Sequence, residues 1–322
     1  MIAVIRSCIR SGCLPRMSYR VECRAVSTSS FKGQWDFKLG KVPYNGISID
    51  LVHTPKDVTP RDVANKLKDC IVQCKNNGNR AMWVKVPVDK SYLIPVVFKH
   101  GFTYHHAEGN HAMLLKWLPD NVECKVPPYA SHQIGVAGIV VNEEENKVLV
   151  VQDRQKYKMG VLKKPIWKFP GGLSDEGEDI GHTAVREVFE ETGIKSEFQS
   201  IVLFRQQHKM RSAFNKSDIF VVCRMKPLTS DIILCDDEIA ACQWMPINEL
   251  LVHSDTTPLI KLGAKLVMYG MKYGHEHFDV TATEMRSWVD PTQTFKLYHK
   301  PLTVMETLRM ESLGKSISSR IS

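Results

Sequence analysis

The chain lacks any apolar run long enough to cross a membrane. Its longest, from Ile134 to Val141, carries two glycines and falls far short of the roughly 20 residues a membrane helix needs. It also lacks CxxC spacing. Nine cysteines in 322 residues, an odd number without a regular pattern, do not make a disulfide framework and point to a reducing compartment. Acid is scarce at one end: residues 1–34 carry five arginines and Lys32 against Glu22 alone, so +5 of the formal charge of +8 sits there. The remainder is nearly balanced. A nucleic-acid partner is therefore not expected, because such a partner needs positive charge gathered on a folded face. No internal repeat is present.

What is there suits a folded globular chain, with 43% apolar and 24% charged residues and a length that suggests two domains. The first 30 residues hold six serines, and Ile2, Ile5 and Ile9 fall at helical spacing beside Arg6 and Arg10. That composition matches a mitochondrial transit peptide; without such an address the expected place is the cytoplasm and nucleus. Residues 40–118 read as a small α/β unit in the order strand, helix, strand, helix, strand, strand. Its strands are expected at 47–53, 82–88, 102–106 and 112–117. Thr59 and Pro60 announce its first helix, where Val63, Leu67, Cys70, Ile71 and Cys74 make an apolar stripe ending at Gly78. Residues 91–99 read as the second helix. Three prolines within 119–131 mark a linker. Residues 132–275 form the second domain: a hairpin at 135–152, a short strand at 167–170, a helix at 179–192, strands at 200–206, 218–225 and 240–245, and a helix at 257–273. An extension covers 276–322, with a loose polar end.

The informative stretch is 171–194, GGLSDEGEDIGHTAVREVFEETGI. On a helix Glu187, Glu190 and Glu191 fall within an arc of about 100°, while Val185, Val188 and Phe189 take the other side. Like charges at such spacing destabilise a helix by roughly 0.2–0.5 kcal/mol per pair, so something cationic must offset them. Carboxylate oxygens without a soft ligand suit Mg²⁺ or Mn²⁺ rather than zinc. Arg186 flanks the acidic face, where it can pair with Glu178 or Glu190, and has a structural role. Gly171 and Gly172 free the backbone to turn after Pro170, and the helix N-terminus presents amide donors to a phosphate chain. The combination fits pyrophosphoryl chemistry.

Gly172, Glu178, Arg186-Glu187-Val188, Glu190-Glu191 and Gly193-Ile194 stand at the spacing of the box that defines the Nudix hydrolases, which the chain resembles from about Gln133 to Gly274. The resemblance implies an α/β/α sandwich with a mixed sheet. It also implies that the preceding unit, with Gly101-Phe102 and His105-His106-Ala107, is a pre-Nudix domain resembling an acetyltransferase fold. The implied activity is metal-dependent attack of water on a nucleoside diphosphate derivative, with a nucleotide-type small molecule as partner and a homodimer as the expected assembly. Carried over by position, Glu187, Glu190 and Glu191 with the carbonyl of Gly172 are the metal ligands, and Glu178 and Arg186 are structural. Glu187 is catalytic through the metal, Glu238 is the candidate general base, and Arg205 and His208 are candidate substrate contacts. Substrate tags are missing: SQPWPFP is absent, and Met210 and Arg211 stand where a proline or tyrosine marks other subgroups. Plant members with the same first unit act on ADP-ribose and NADH, which favours that type. The missing tags also leave open a nucleotide-binding regulatory protein with little turnover.

Other signals are weaker. His105 and His106, adjacent in a strand, are expected to point to opposite faces and not to join His111 in a metal site. Cys70 and Cys74 read as packing residues. No RxxGxG loop occurs in the first unit, which argues against acetyl transfer there.

Overall fold

The computed structural model describes residues 35–154, 164–210, 213–287 and 290–301. The basic N-terminal segment, Arg211 and the polar tail lie outside the described residues. The chain divides between Ala130 and Ser131 into two compact units.

The first unit is a five-stranded sheet in the order β1 (Leu39–Val42), β2 (Gly46–Asp50), β3 (Ala81–Pro87), β5 (His111–Trp117), β4 (Thr103–Glu108). Only β2 and β3 are parallel, and α1 (Pro60–Asn76) makes the crossover. Thr59 and Asp62 close a capping box at its start, and Val63, Leu67, Cys70 and Cys74 bury the stripe against the sheet. Strand β2 stops earlier than expected, because the Asp50 carboxylate accepts from the Val52 N–H and winds 51–53 into a 3₁₀ turn. The second helix is likewise shorter. Residues Val88–Leu93 form a 3₁₀ turn, and α2 (Ile94–Lys99) begins just before Pro95. A register shift between Tyr104 and His106 also overturns the expected separation of the two histidines. The bulge brings both rings together, with Nδ1 of His105 2.7 Å from Nδ1 of His106.

The second unit is a seven-stranded mixed sheet between two helices. The hairpin β6 (His132–Asn142) and β7 (Lys147–Asp153) pairs only at Val141–Val148 and Asn142–Lys147. Below that point the strands part, and the segment 167–173 fills the opening. Its β8 (Trp167–Lys168) pairs with β7 and its β9 (Gly171–Leu173) with β6. Outward from β6 lie β11 (Ser217–Pro227), parallel to it, and β10 (Ser196–Gln207); outward from β7 lies β12 (Ile239–Pro246). Helix α3 (Ile180–Thr192) covers one face, packing Ala184 and Val188 on Val136, Val140, Leu149 and Val221. A six-residue helix, α4 (Ile247–Val252), was not legible beforehand; it anchors itself by burying Ile247 and Leu250. The other face is covered by α5 (Pro258–Tyr273), which sets Ile260, Ala264 and Val267 on Ala137, Ile139 and Val150. The result is the expected α/β/α sandwich.

The extension contains a hairpin, β13 (Thr281–Arg286) with β14 (Thr294–His299), where the sequence reading placed no element. Only Phe295 and Leu297 alternate with polar residues in β14, too short a pattern to announce the hairpin. It is fastened from outside itself: Val280 bridges to Ile201, and buried Asp279 pairs with Arg224 and accepts from Ser200.

Gly171 is the tightest point of the inserted segment, with φ at 157°; a Cβ there would meet the Val136 carbonyl and come within 2.5 Å of the Ala137 Cα. Gly171→Ala should cost about 2–4 kcal/mol, the sum of overpacking and backbone strain, read as a lower urea midpoint. An unchanged midpoint would show that β9 is free to shift.

Candidate active site

Helix α3 brings the box side chains over the inserted segment. Glu187 lies directly on Gly172, where a Cβ would stand 2.5 Å from its Oε2, so any larger residue would push the carboxylate out of this position. Arg186 is the hub. Its Nε and Nη2 donate to Glu178, each at 2.8 Å, its Nη1 to Glu187 at 2.7 Å and Glu190 at 3.4 Å, and its Nη2 also to the Leu173 carbonyl at 3.0 Å. Glu178 further accepts from the Asp175 N–H and the Thr183 hydroxyl. The structural roles expected for both residues rest on these bonds. Glu190 stands outermost, its side chain 59% exposed.

The two sides of the helix do not divide cleanly into acidic surface and apolar core: Glu191 is buried, while Phe189, on the apolar side, is half exposed. The reason is a partner contributed by β8 and β9: Lys168 Nζ lies 3.1 Å from Glu191 Oε1, and the Gly171 N–H donates to Oε2 at 3.0 Å. Asp153 lies 4.0 Å from the same ammonium. Lys168 and Asp153 were missed in the sequence reading; a lysine three residues before the glycine pair was the available signal.

The electrostatics follow from burial. Burial pushes the Glu187 carboxyl up to about 7 against the pull of Arg186, with Glu191 and Glu190 adding repulsion. Burial also raises Glu191, opposed by Lys168 and the Gly171 N–H. The Arg186 guanidinium holds Glu178 down to about 2.

The remaining expected residues are placed differently. Glu238 is exposed; the loop before it lies against the end of α3, where the Ile233 N–H donates to Thr192 and the Cys235 N–H to the Glu191 carbonyl. Arg205 does not reach the carboxylates. It pairs across the sheet with Phe220, which packs in the α5 core, so strand alternation turns Arg205 to the face opposite α3. There its guanidinium lies 5.2 Å from the Phe220 ring and 3.0 Å from buried Asp218. His208, past the end of β10, bonds to the Ser217 hydroxyl. Tyr298 of β14 reaches the start of the helix, where it lines one cavity together with Asp179, Gly181 and His182.

Comparison with known proteins reaches the same stretch. A NUDIX domain model matches residues 131–265, and a Nudix hydrolase domain model matches residues 37–118. The nucleoside diphosphate-linked moiety X motif 6 of Homo sapiens is 45% identical over 73% of this chain and 72% of its own length. Its Xenopus laevis namesake is 49% identical over 66% of this chain and 94% of its own. The chain belongs to the Nudix hydrolase family. Nudix hydrolase 8 of Arabidopsis thaliana is 40% identical over 65% of this chain and 54% of its own length. The chain is accordingly a Nudix diphosphohydrolase.

Nudix hydrolases generally use divalent metal ions, and the donors here suit one. All are oxygens, and burial raises the Glu187 carboxyl in spite of its bond to Arg186, so a further cation would be favoured there. Among the described residues, however, no three such groups already stand as a metal-holding set. Arg186 draws Glu187 and Glu190 one way, and Lys168 draws Glu191 the other.

Glu187 titrates near 7 in the fold and near 4.5 outside it, so folding favours its protonated form. That contribution is complete below about pH 4.5 and lost as pH rises through 7. Glu187→Gln, neutral throughout, should therefore melt several degrees above the parent at pH 8 and close to it at pH 4.5 in chelator. Coincident melting curves at pH 8 would remove the burial argument.

Proposed function

We propose that the chain hydrolyses the diphosphate of an ADP-ribose- or NADH-type compound with Mg²⁺ or Mn²⁺ held by Glu187, Glu190, Glu191 and the carbonyl of Gly172. The observation that carries this reading is the seating of Glu187 on Gly172, which joins helix and strand into one oxygen-lined corner. The metal would neutralise diphosphate charge and lower the pKa of a water bound to it. The protein supplies the rest. Arg186 holds Glu178 and Glu187 in their rotamers, and Lys168 with the Gly171 N–H keeps Glu191 oriented despite its burial. Glu190, the most exposed of the three, is free to turn toward an arriving ion. Glu238, carried by the loop bonded to the end of α3, is the proposed acceptor of the water proton.

The test is a hydrolysis panel of ADP-ribose, NADH, coenzyme A, diadenosine polyphosphates, capped RNA and nucleoside triphosphates with Mg²⁺ or Mn²⁺, products identified by mass spectrometry. ADP-ribose or NADH should be cleaved at the diphosphate. Glu190→Gln should lower turnover by more than about 100-fold, beyond the cost of losing an outer-shell partner, with an unchanged melting temperature. Nucleotide binding without cleavage of any compound would favour the regulatory reading instead.

A further inference from the structure

The face of the sheet that carries the carboxylates is covered by α3 over Val136 and Val221 and opens beyond the helix, at Phe204 and Ile134. Register fixes its members. Gly172 of β9 pairs with Val136 of β6, Val136 with Val221 of β11, and Val221 with Phe204 of β10. Cross-strand partners share a face, and Val136 and Val221 belong to the α3 core, so Phe204 stands on the α3 face. In the neighbouring row Ile134, Ile219 and Gln206 are partners on that face too. Phe204, on the edge strand β10, is 71% exposed, and Ile134, near the start of β6, is 40% exposed, so an apolar surface stands open to solvent on the side of the sheet that carries the charged centre. Gln206 borders the floor, its amide 2.8 Å from Nε2 of His132.

We propose that Phe204, Ile134 and Ile219 form the platform on which the base of the nucleotide substrate lies, with Gln206 at its polar edge. This rests on the diphosphohydrolase reading and names the part of the substrate that reading leaves without a site. Three strand spacings separate Gly172 from Phe204, about 14 Å, shortened at both ends by the side chains. That is the span of a nucleoside whose diphosphate reaches the carboxylates. A planar ring is the part of such a molecule that gains from an aromatic and aliphatic floor, and every base has a face to stack. Among the described residues, Arg205, the charged residue next along β10, faces the other way. The missing substrate tags then have a physical counterpart: a floor that reads ring shape more than base identity.

The experiment uses the full chain and calorimetric titration with AMP, UMP and ribose 5-phosphate, in parallel with light scattering. Phe204→Ala should weaken AMP and UMP by about tenfold, the order of one lost base stack, and leave ribose 5-phosphate unchanged. Phe204→Trp should restore the affinity. For whichever compound is cleaved, KM should rise with kcat nearly unchanged. Equal affinity of both variants for AMP and UMP, equal weakening of ribose 5-phosphate, or no binding of either nucleotide by the parent would overturn the proposal. So would dissociation of a dimer by Phe204→Ala, which would assign the floor to a second copy of the chain. Phe204 is largely exposed, so its replacement leaves the core intact. Because the titration needs no turnover, a chain that binds AMP through Phe204 but cleaves nothing separates this platform from the hydrolytic reading.

Discussion

A buried carboxylate holds the catalytic helix to the sheet. Glu191 is nearly out of water, and such a charge costs several kcal/mol unless matched closely. Its two oxygens find an ammonium on β8 and a backbone amide on β9, the two halves of the inserted segment. The same interaction therefore closes the opening between β6 and β7 and sets the angle at which α3 crosses it. Everything nearer the solvent, including Glu187 on Gly172 and the fan of bonds from Arg186, depends on that seating.

Two cations share the work of restraining the acidic helix. Arg186 spans Glu178, Glu187 and Glu190 from one side, and Lys168 holds Glu191 from the other. The carboxylates of the helix thus stand divided between two protein partners. Exposure then separates them: Glu191 and Glu187 are both held in the fold, and Glu190 retains the freedom to rearrange.

Alternation along β10 separates the two kinds of residue next to the centre. Arg205 turns to the α5 face, where Asp218 and Phe220 occupy it, and Phe204 turns to the face of α3. A shift of one residue would exchange a charged contact for an aromatic floor. No local pattern in 200–206 announces which parity is which, because it is set by the partners of β11.

Local chemistry was legible wherever one segment carried it whole. The capping box of α1, the glutamate arc of α3, the glycine pair and the alternating layers of helix and strand could all be read from spacing, since a cap, a helical face or a backbone free of Cβ is decided within a few residues. Contacts made over long separations were not: Lys168 on Glu191, Tyr298 over the start of α3, the hairpin pinned by Asp279, and the bulge that joins His105 to His106. The sequence by itself determined which atoms could meet a diphosphate and a metal. The tertiary structure decided which of them are buried, which face each strand residue takes, and what else reaches the helix end, because burial and sheet register are properties of partners that lie elsewhere in the chain.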